Sequence, residues 1–179
     1  MLIAIGGFSG SGKSYTSFKL SDKLKCPSIN SDKIRKELSN ISMTQKVYEN
    51  FGEGIYSESF TKVTYNELIK KAIKLTKNSK NLIIDATFIS KDSQKLIIDN
   101  FQDYIFIFCY ADEDIIKDRL DKRVKKKTIS DGRWEIYQKQ KDTFEGFIIP
   151  EDKIIKINTG KEGYLDELYR LISEKLGEF

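Results

Sequence analysis

Histidine is absent from all 179 residues. That removes nucleophile–histidine triads and imidazole bases, so any general base used here is expected to be a carboxylate. With only Cys26 and Cys109 as cysteines, a zinc centre is not expected either. Both fall in or beside strand-like runs and read as small core residues rather than a disulfide. No apolar run approaches the ~20 residues of a membrane span. Met1 leads straight into an apolar run, with no basic n-region and no small-residue cleavage site. A signal peptide is therefore not expected, and the cytoplasm is the expected compartment. Net charge is only +4, far below the basic footprint of a dedicated nucleic-acid binder. With no repeat or break in composition, the chain reads as a single domain over residues 1–179.

What is present is Gly7-Phe8-Ser9-Gly10-Ser11-Gly12-Lys13-Ser14, a full match to G-x-x-x-x-G-K-[ST]. Leu2 to Ile5 before it reads as a buried strand, and Tyr15 to Leu24 after it as a helix. A strand, a glycine-rich turn and a helix N-terminus aim backbone N–H groups and a positive dipole at one anion. The expected ligand is a nucleoside triphosphate. Lys13 would reach its β- and γ-phosphates, and Ser14 would offer a hydroxyl to Mg²⁺.

Thr16, Leu20 and Leu24 give the first helix an inward face. Cys26 to Asn30 reads as a second strand, and Ser31-Asp32 as the cap of a helix reaching Leu38. Residues 39–56 read as a connection with a short helix near Gln45–Asn50. A long helix follows, with Val63, Leu68, Ile69, Ala72, Ile73 and Leu75 as its apolar stripe. Asn81 to Asp85 is a strand ending in a carboxylate, and Lys91 to Phe101 a helix. Tyr104 to Tyr110 is apolar on both faces, so it should be an interior strand. Helices are expected over Asp112–Lys127 and Asp131–Glu145, then a strand over Lys153–Ile157 and a final helix. Alternating strands and helices predict an α/β fold, a parallel sheet covered on both faces. The ligand is expected beyond the carboxyl ends of its strands.

That placement gathers several charged residues at one cleft. Asp32, with Arg35 one turn later, suits a base and an anion holder for an acceptor, or equally a helix cap with a surface ion pair. Asp85 at its strand end suits a Walker-B-type carboxylate for Mg²⁺, or a simple turn into Ala86-Thr87. Arg119 and Arg123 share a helix face and would clamp a transferring phosphoryl group, or else pair with Asp118 or Glu113. Residues 122–133 carry the charge and the turn residues Ser130-Asp131-Gly132 of a lid, while Lys125–Lys127 read as a solvated helix end.

Taken in order, these elements resemble the P-loop kinases grouped as predicted ATP-binding kinases, an AAA-type family related to phage-type polynucleotide 5′-hydroxyl kinase. The likeness rests on GFSGSGKS, on Asp32-x-x-Arg35 after a strand, and on Asp85-Ala86-Thr87. It continues through Arg119-x-x-x-Arg123, Ser130-Asp131-Gly132 and Gln140 to Glu145. Gly132 stands where many of these kinases have alanine. The resemblance implies a three-layer αβα P-loop NTPase sandwich, sheet order 2-3-1-4-5, with a helical lid over about 119–133. It implies ATP and Mg²⁺ as cofactors, with Gly7 to Ser14, Tyr15, Arg119 and Arg123 around the nucleotide and Ser14 and Asp85 around the metal. Lys13, Asp32 and Arg123 would be catalytic, and Asp32, Arg35 and Asp85 would face the acceptor.

The function expected from all this is transfer of the γ-phosphate of ATP to a hydroxyl. The acceptor is a polynucleotide 5′-hydroxyl or a small molecule such as a metabolite or antibiotic. Tyr48, Phe51, Tyr56 and Phe60 would stack a base in the first case and serve as packing residues in the second. The reading from another class is a nucleotide-hydrolysing switch that acts through a partner protein. No membrane partner is expected, and the sequence leaves the oligomeric state open.

Overall fold

Odd and even positions of the strands are both apolar, so the sheet needs helices on each side. The computed structural model describes residues 1–45, 47, 49, 52–124 and 131–176. Strands β1 (Leu2–Gly7), β2 (Ser28–Asn30), β3 (Leu82–Asp85), β4 (Tyr104–Tyr110) and β5 (Ile154–Asn158) form one parallel sheet, ordered β2-β3-β1-β4-β5. Ile5 lies opposite Asp85 and Ile107, Asn30 opposite Asp85, and Tyr110 opposite Asn158. Gly7, Asn30, Asp85 and Asn158 therefore share the carboxyl edge.

Even-numbered Leu2, Ala4, Leu82, Ile84, Phe106 and Phe108 face α2 (Ser31–Leu38), α3 (Glu58–Thr76) and α4 (Lys91–Asn100). Odd-numbered Ile3, Ile5, Ile83, Ile105, Ile107 and Cys109 face α1 (Lys13–Leu24) and α7 (Tyr164–Leu176). This is the three-layer sandwich expected from the alternation. A smaller cluster, Ile116 and Leu120 of α5 (Glu113–Val124) with Tyr137 of α6 (Trp134–Asp142), closes on Phe8 beyond the sheet edge.

Several local expectations are corrected. Asn30, not Ser31-Asp32, caps α2. It is extended, and its Oδ1 accepts the N–H of Lys33 at 3.1 Å, leaving Ser31 and Asp32 inside the first turn. In α3 the buried stripe runs through Tyr65, Leu68, Ile69 and Ala72, while Val63 and Ile73 are exposed. At 3.6 residues per turn Val63 points almost opposite to Leu68, and Ile73 lies at the stripe's margin. The helix expected from Asp131 starts only at Trp134, because Asp131 and Gly132 are buried outside it. Phe144, beyond its end, stacks on Phe108 at 5.6 Å. Gln45, Val47 and Glu49, the described residues of the span expected as a short helix at 45–50, are not helical; Tyr48, Phe51 and Lys125–Lys127 lie outside the described residues. Among the described residues, no helix is long and apolar enough to cross a membrane.

Candidate functional site: a phosphate loop and two carboxylates

The loop between β1 and α1 is held open from behind. Gly12, at φ 85°, precedes Lys13, and a side chain there would meet Thr159 Oγ1 at 2.9 Å. Thr159 follows β5, and its hydroxyl donates to the carbonyl of Ser11 at 2.8 Å. Arg119 fixes the same corner, donating to Thr159 Oγ1 at 2.9 Å, to its carbonyl at 2.8 Å and to the carbonyl of Gly10 at 3.3 Å. Phe8 turns its ring into the core, against Phe108, Tyr137 and Phe144. The Ser9 N–H donates to Gln140 Oε1 at 2.7 Å, so this amide is taken up by α6. Lys13 Nζ rests 3.4 Å from the carbonyl of Phe8, and Ser14 is exposed. Anchoring groups behind the loop leave the N-terminus of α1 to face the cleft.

Beside it, Asp85 is 2% exposed. Asn30 Nδ2 donates to its Oδ2 at 2.6 Å, and its Oδ1 is buried with no hydrogen-bond partner. Burial pushes this carboxyl up from its ordinary range, while Lys13, Ser14 and Asn30 pull it down. A carboxylate oxygen without a partner, near a serine hydroxyl, suits a hard cation. Mg²⁺ takes one or two protein oxygens and fills its octahedron with phosphate and water. Among the described residues no group of three or more carboxylates or cysteines forms a cage of its own. Ser14 and Asp85 thus fit Mg²⁺ held together with a nucleotide.

Asp32 is half-buried in the first turn of α2, the helix whose cap residue Asn30 also holds Asp85. Burial pushes Tyr56 and Tyr65 up and the charge of Asp32 adds to it, as it does at Asp85, while it opposes the lowering that burial imposes on Arg123. Arg123 also feels Arg119 and Asp85. Asp85 therefore lies in the fields of Lys13 and Asp32, and Arg123 in those of Asp32 and Asp85. Arg119 and Arg123 line a cleft of about 380 Å³ with Gly10, Gly12, Tyr15, Lys122 and Tyr164. The acids considered as surface partners are engaged elsewhere: Asp118 holds Lys122 at 2.6 Å and Glu113 holds Lys141 at 2.5 Å.

Arg35, one turn after Asp32, is 6% exposed. Its guanidinium donates to the carbonyl of Ile55 and to Thr61 Oγ1 at 3.2 Å, and lies over the Tyr56 ring at 4.9 Å. Its Nε is buried without a partner. Sequence reasoning missed what holds this wall in place. Lys36, fully buried, donates to the carbonyls of Met43 and Gln45 and pairs with Asp131 at 3.3 Å. Asp131 also accepts the Tyr56 hydroxyl at 2.7 Å and the Val47 N–H at 3.3 Å. Asn30 was missed as well, because asparagine ranks level with the serine and aspartate that follow it as a helix cap.

A parallel sheet in this order, with a phosphate loop after its first strand and carboxylates at the neighbouring strand ends, is a P-loop fold of the kinase type. The chain belongs to the AAA domain family, whose match spans residues 2–147. It is similar in structure to a sugar kinase from Janibacter sp. HTCC2649, with a TM-score of 0.72, 15% identity, and 98% of this chain and 94% of that one covered. A shikimate kinase from Aquifex aeolicus matches with a TM-score of 0.60, 19% identity and 99% of both chains. Kti12 from Chaetomium thermophilum, in complex with ADP-AlF3, matches with a TM-score of 0.66, 12% identity, and 97% and 98% covered. Among curated proteins no sequence matches.

Proposed function

We propose that the protein is an ATP-dependent kinase that phosphorylates a hydroxyl on a compact acceptor, with Asp32 as general base. The observation that carries the proposal is Asp85, buried at the carboxyl edge beside the phosphate loop with one oxygen held by Asn30 and the other unpartnered, next to the helix whose first turn holds Asp32. The loop and Lys13 bind and orient the triphosphate. Asp32 takes the acceptor's hydroxyl proton, and the freed oxygen bonds to the γ-phosphorus as the bond to the β,γ-bridging oxygen breaks. ADP leaves with that electron pair. Arg123 faces the charge that gathers on the moving phosphoryl group. Mg²⁺, held by Ser14 and through Asp85, would supply charge neutralisation across the phosphates.

A compact acceptor is favoured over a nucleic-acid end for two reasons. Arg35 is buried under Tyr56 rather than set in an open basic groove, and the similar folds include enzymes described as sugar and shikimate kinases. The Arg35 Nε supports an acceptor carrying an anionic group.

The test is transfer of label from γ-labelled ATP with Mg²⁺ to a panel of hydroxylated metabolites, nucleosides, antibiotics and 5′-hydroxyl oligonucleotides. Label on one small acceptor, reduced about 10²–10⁴-fold in Asp32→Asn with nucleotide binding retained, is the expected result. Phosphate released only to water, unchanged in Asp32→Asn, would sink the proposal and favour a hydrolytic switch. Label on oligonucleotides alone would overturn the compact acceptor.

A further inference from the structure

The Lys36–Asp131 pair is one of the least exposed polar contacts in the fold, with side chains 1% and 2% accessible. Burying two charges is costly, and apolar residues of the same volume are often as stable, so a role beyond stability is the question to ask. Its position supplies one. Asp131 stands directly before Gly132, and Gly132 lies against the phosphate loop. A Cβ on Gly132 would meet Ser9 Oγ at 3.0 Å, Ser9 Cβ at 3.1 Å and an Arg123 guanidinium nitrogen at 3.2 Å. A few residues later Gln140 binds the Ser9 N–H. On its other side Asp131 holds the Tyr56 hydroxyl, and the Tyr56 ring lies on Arg35. Lys36, next to Arg35 in α2, closes the circuit onto Asp131 and onto the backbone of Met43 and Gln45.

We infer that Asp131 and Lys36 are positioning residues that couple the nucleotide half of the cleft to the acceptor half. A contiguous path of contacts runs from Ser9 through Gly132 and Asp131 to Tyr56, Lys36 and Arg35. Movement of the phosphate loop on binding nucleotide is delivered through Asp131 to the wall that carries Arg35 and, one turn earlier, Asp32. Neither Asp131 nor Lys36 touches the reacting atoms. Their work is to make the acceptor wall firm when nucleotide is in place. The tyrosine is a necessary link, because its hydroxyl reads Asp131 while its ring reads Arg35.

This rests on the cleft being a nucleotide site, and the experiment separates the two claims. Amide hydrogen exchange is followed with and without Mg²⁺ and the non-hydrolysable analogue AMP-PNP, whose affinity is measured by calorimetry. In wild type, exchange should slow at the phosphate loop and also, by about tenfold, at Ile55, Tyr56 and α2, a factor within the usual range of coupling between sites. Two variants cut the path differently. Tyr56→Phe removes one hydrogen bond and keeps the ring on Arg35. The double variant Lys36→Met with Asp131→Leu replaces the ion pair by apolar residues, leaving no orphaned charge to unfold the chain. Both should keep loop protection and an affinity within about threefold of wild type, while the acceptor-side response falls below about twofold, under the usual coupling range. Loop protection in wild type with no response at Ile55 and Tyr56 would overturn the coupling alone, as would an undiminished response in either variant. No loop protection at all would overturn the nucleotide reading together with it.

Discussion

Lys36→Met isolates the energetic weight of the buried pair. The substitution keeps most of the aliphatic stem and removes the ammonium, leaving Asp131 charged and 6% exposed. Breaking one side of a buried ion pair costs about 3–5 kcal/mol. Here the lower end applies, because the Tyr56 hydroxyl and the Val47 N–H still donate to the carboxylate at 2.7 and 3.3 Å. About 3 kcal/mol corresponds to a fall in Tm of about 6–12 °C for a chain of this size. Two freed carbonyls, on Met43 and Gln45, add to the loss, since they gave Lys36 its other hydrogen bonds. Urea unfolding followed by far-UV circular dichroism measures it directly. Asp131→Asn should cost less, because the amide oxygen still accepts and Lys36 keeps its two carbonyls. In the cycle, the Lys36→Met/Asp131→Asn double variant should lose less than the sum of the singles by about 1.5 kcal/mol or more, as for groups in one network. A loss below about 1 kcal/mol for Lys36→Met, or strict additivity, would refute the reasoning and make the pair incidental.

Gln140→Leu strips the partner from the buried Ser9 N–H and should cost about 1–3 kcal/mol in the unfolding free energy. The same variant should weaken AMP-PNP binding, read by calorimetry, because the loop loses its hold on α6. Asp85→Asn removes a carboxylate whose charge is opposed by burial, so the nucleotide-free Tm should rise while Mg²⁺-dependent nucleotide affinity falls about 10- to 100-fold. Cys109 is wholly buried, which pushes its thiol from 9.0 up to about 12. Between those values the folded state keeps a proton that the unfolded state has lost, so stability present below pH 9 is lost as pH rises toward 12. Unfolding measured across that window should show a slope that flattens in Cys109→Ala; an unchanged slope would show that this thiol does not contribute.

The phosphate loop and the sheet were legible because both are written in short spans of chain. Eight consecutive residues dictate the loop, and a continuous apolar run of a few residues marks a strand buried on both faces. Strand order is not encoded in such spans; the family resemblance implied it, and the observed register agrees. The arginine pair was half legible. Spacing put Arg119 and Arg123 on one helix face, but it carried no sign that Arg119 would be tied to Thr159 and Gly10 while Arg123 stands in the field of Asp32.

The surroundings of Arg35 were illegible for a different reason. Lysine in a short amphipathic helix is ordinarily a solvated residue, and aspartate before glycine is ordinarily a turn. Each of Lys36 and Asp131 obeys its own local rule in the sequence, and only their meeting breaks both. Buried charge of this kind has no local signature because its cause is not local: the carbonyls of Met43 and Gln45, the Tyr56 hydroxyl and the Val47 N–H come from segments whose only common feature is the space they enclose. Gly132 follows from the same constraint. Its hydrogen faces Ser9 where a methyl group would press at 3.0–3.1 Å, so glycine lets this stretch of chain lie directly on the phosphate loop. A motif reports what a ligand requires of the backbone, whereas this junction reports what two halves of a cleft require of each other, and that requirement appears only when both halves are folded.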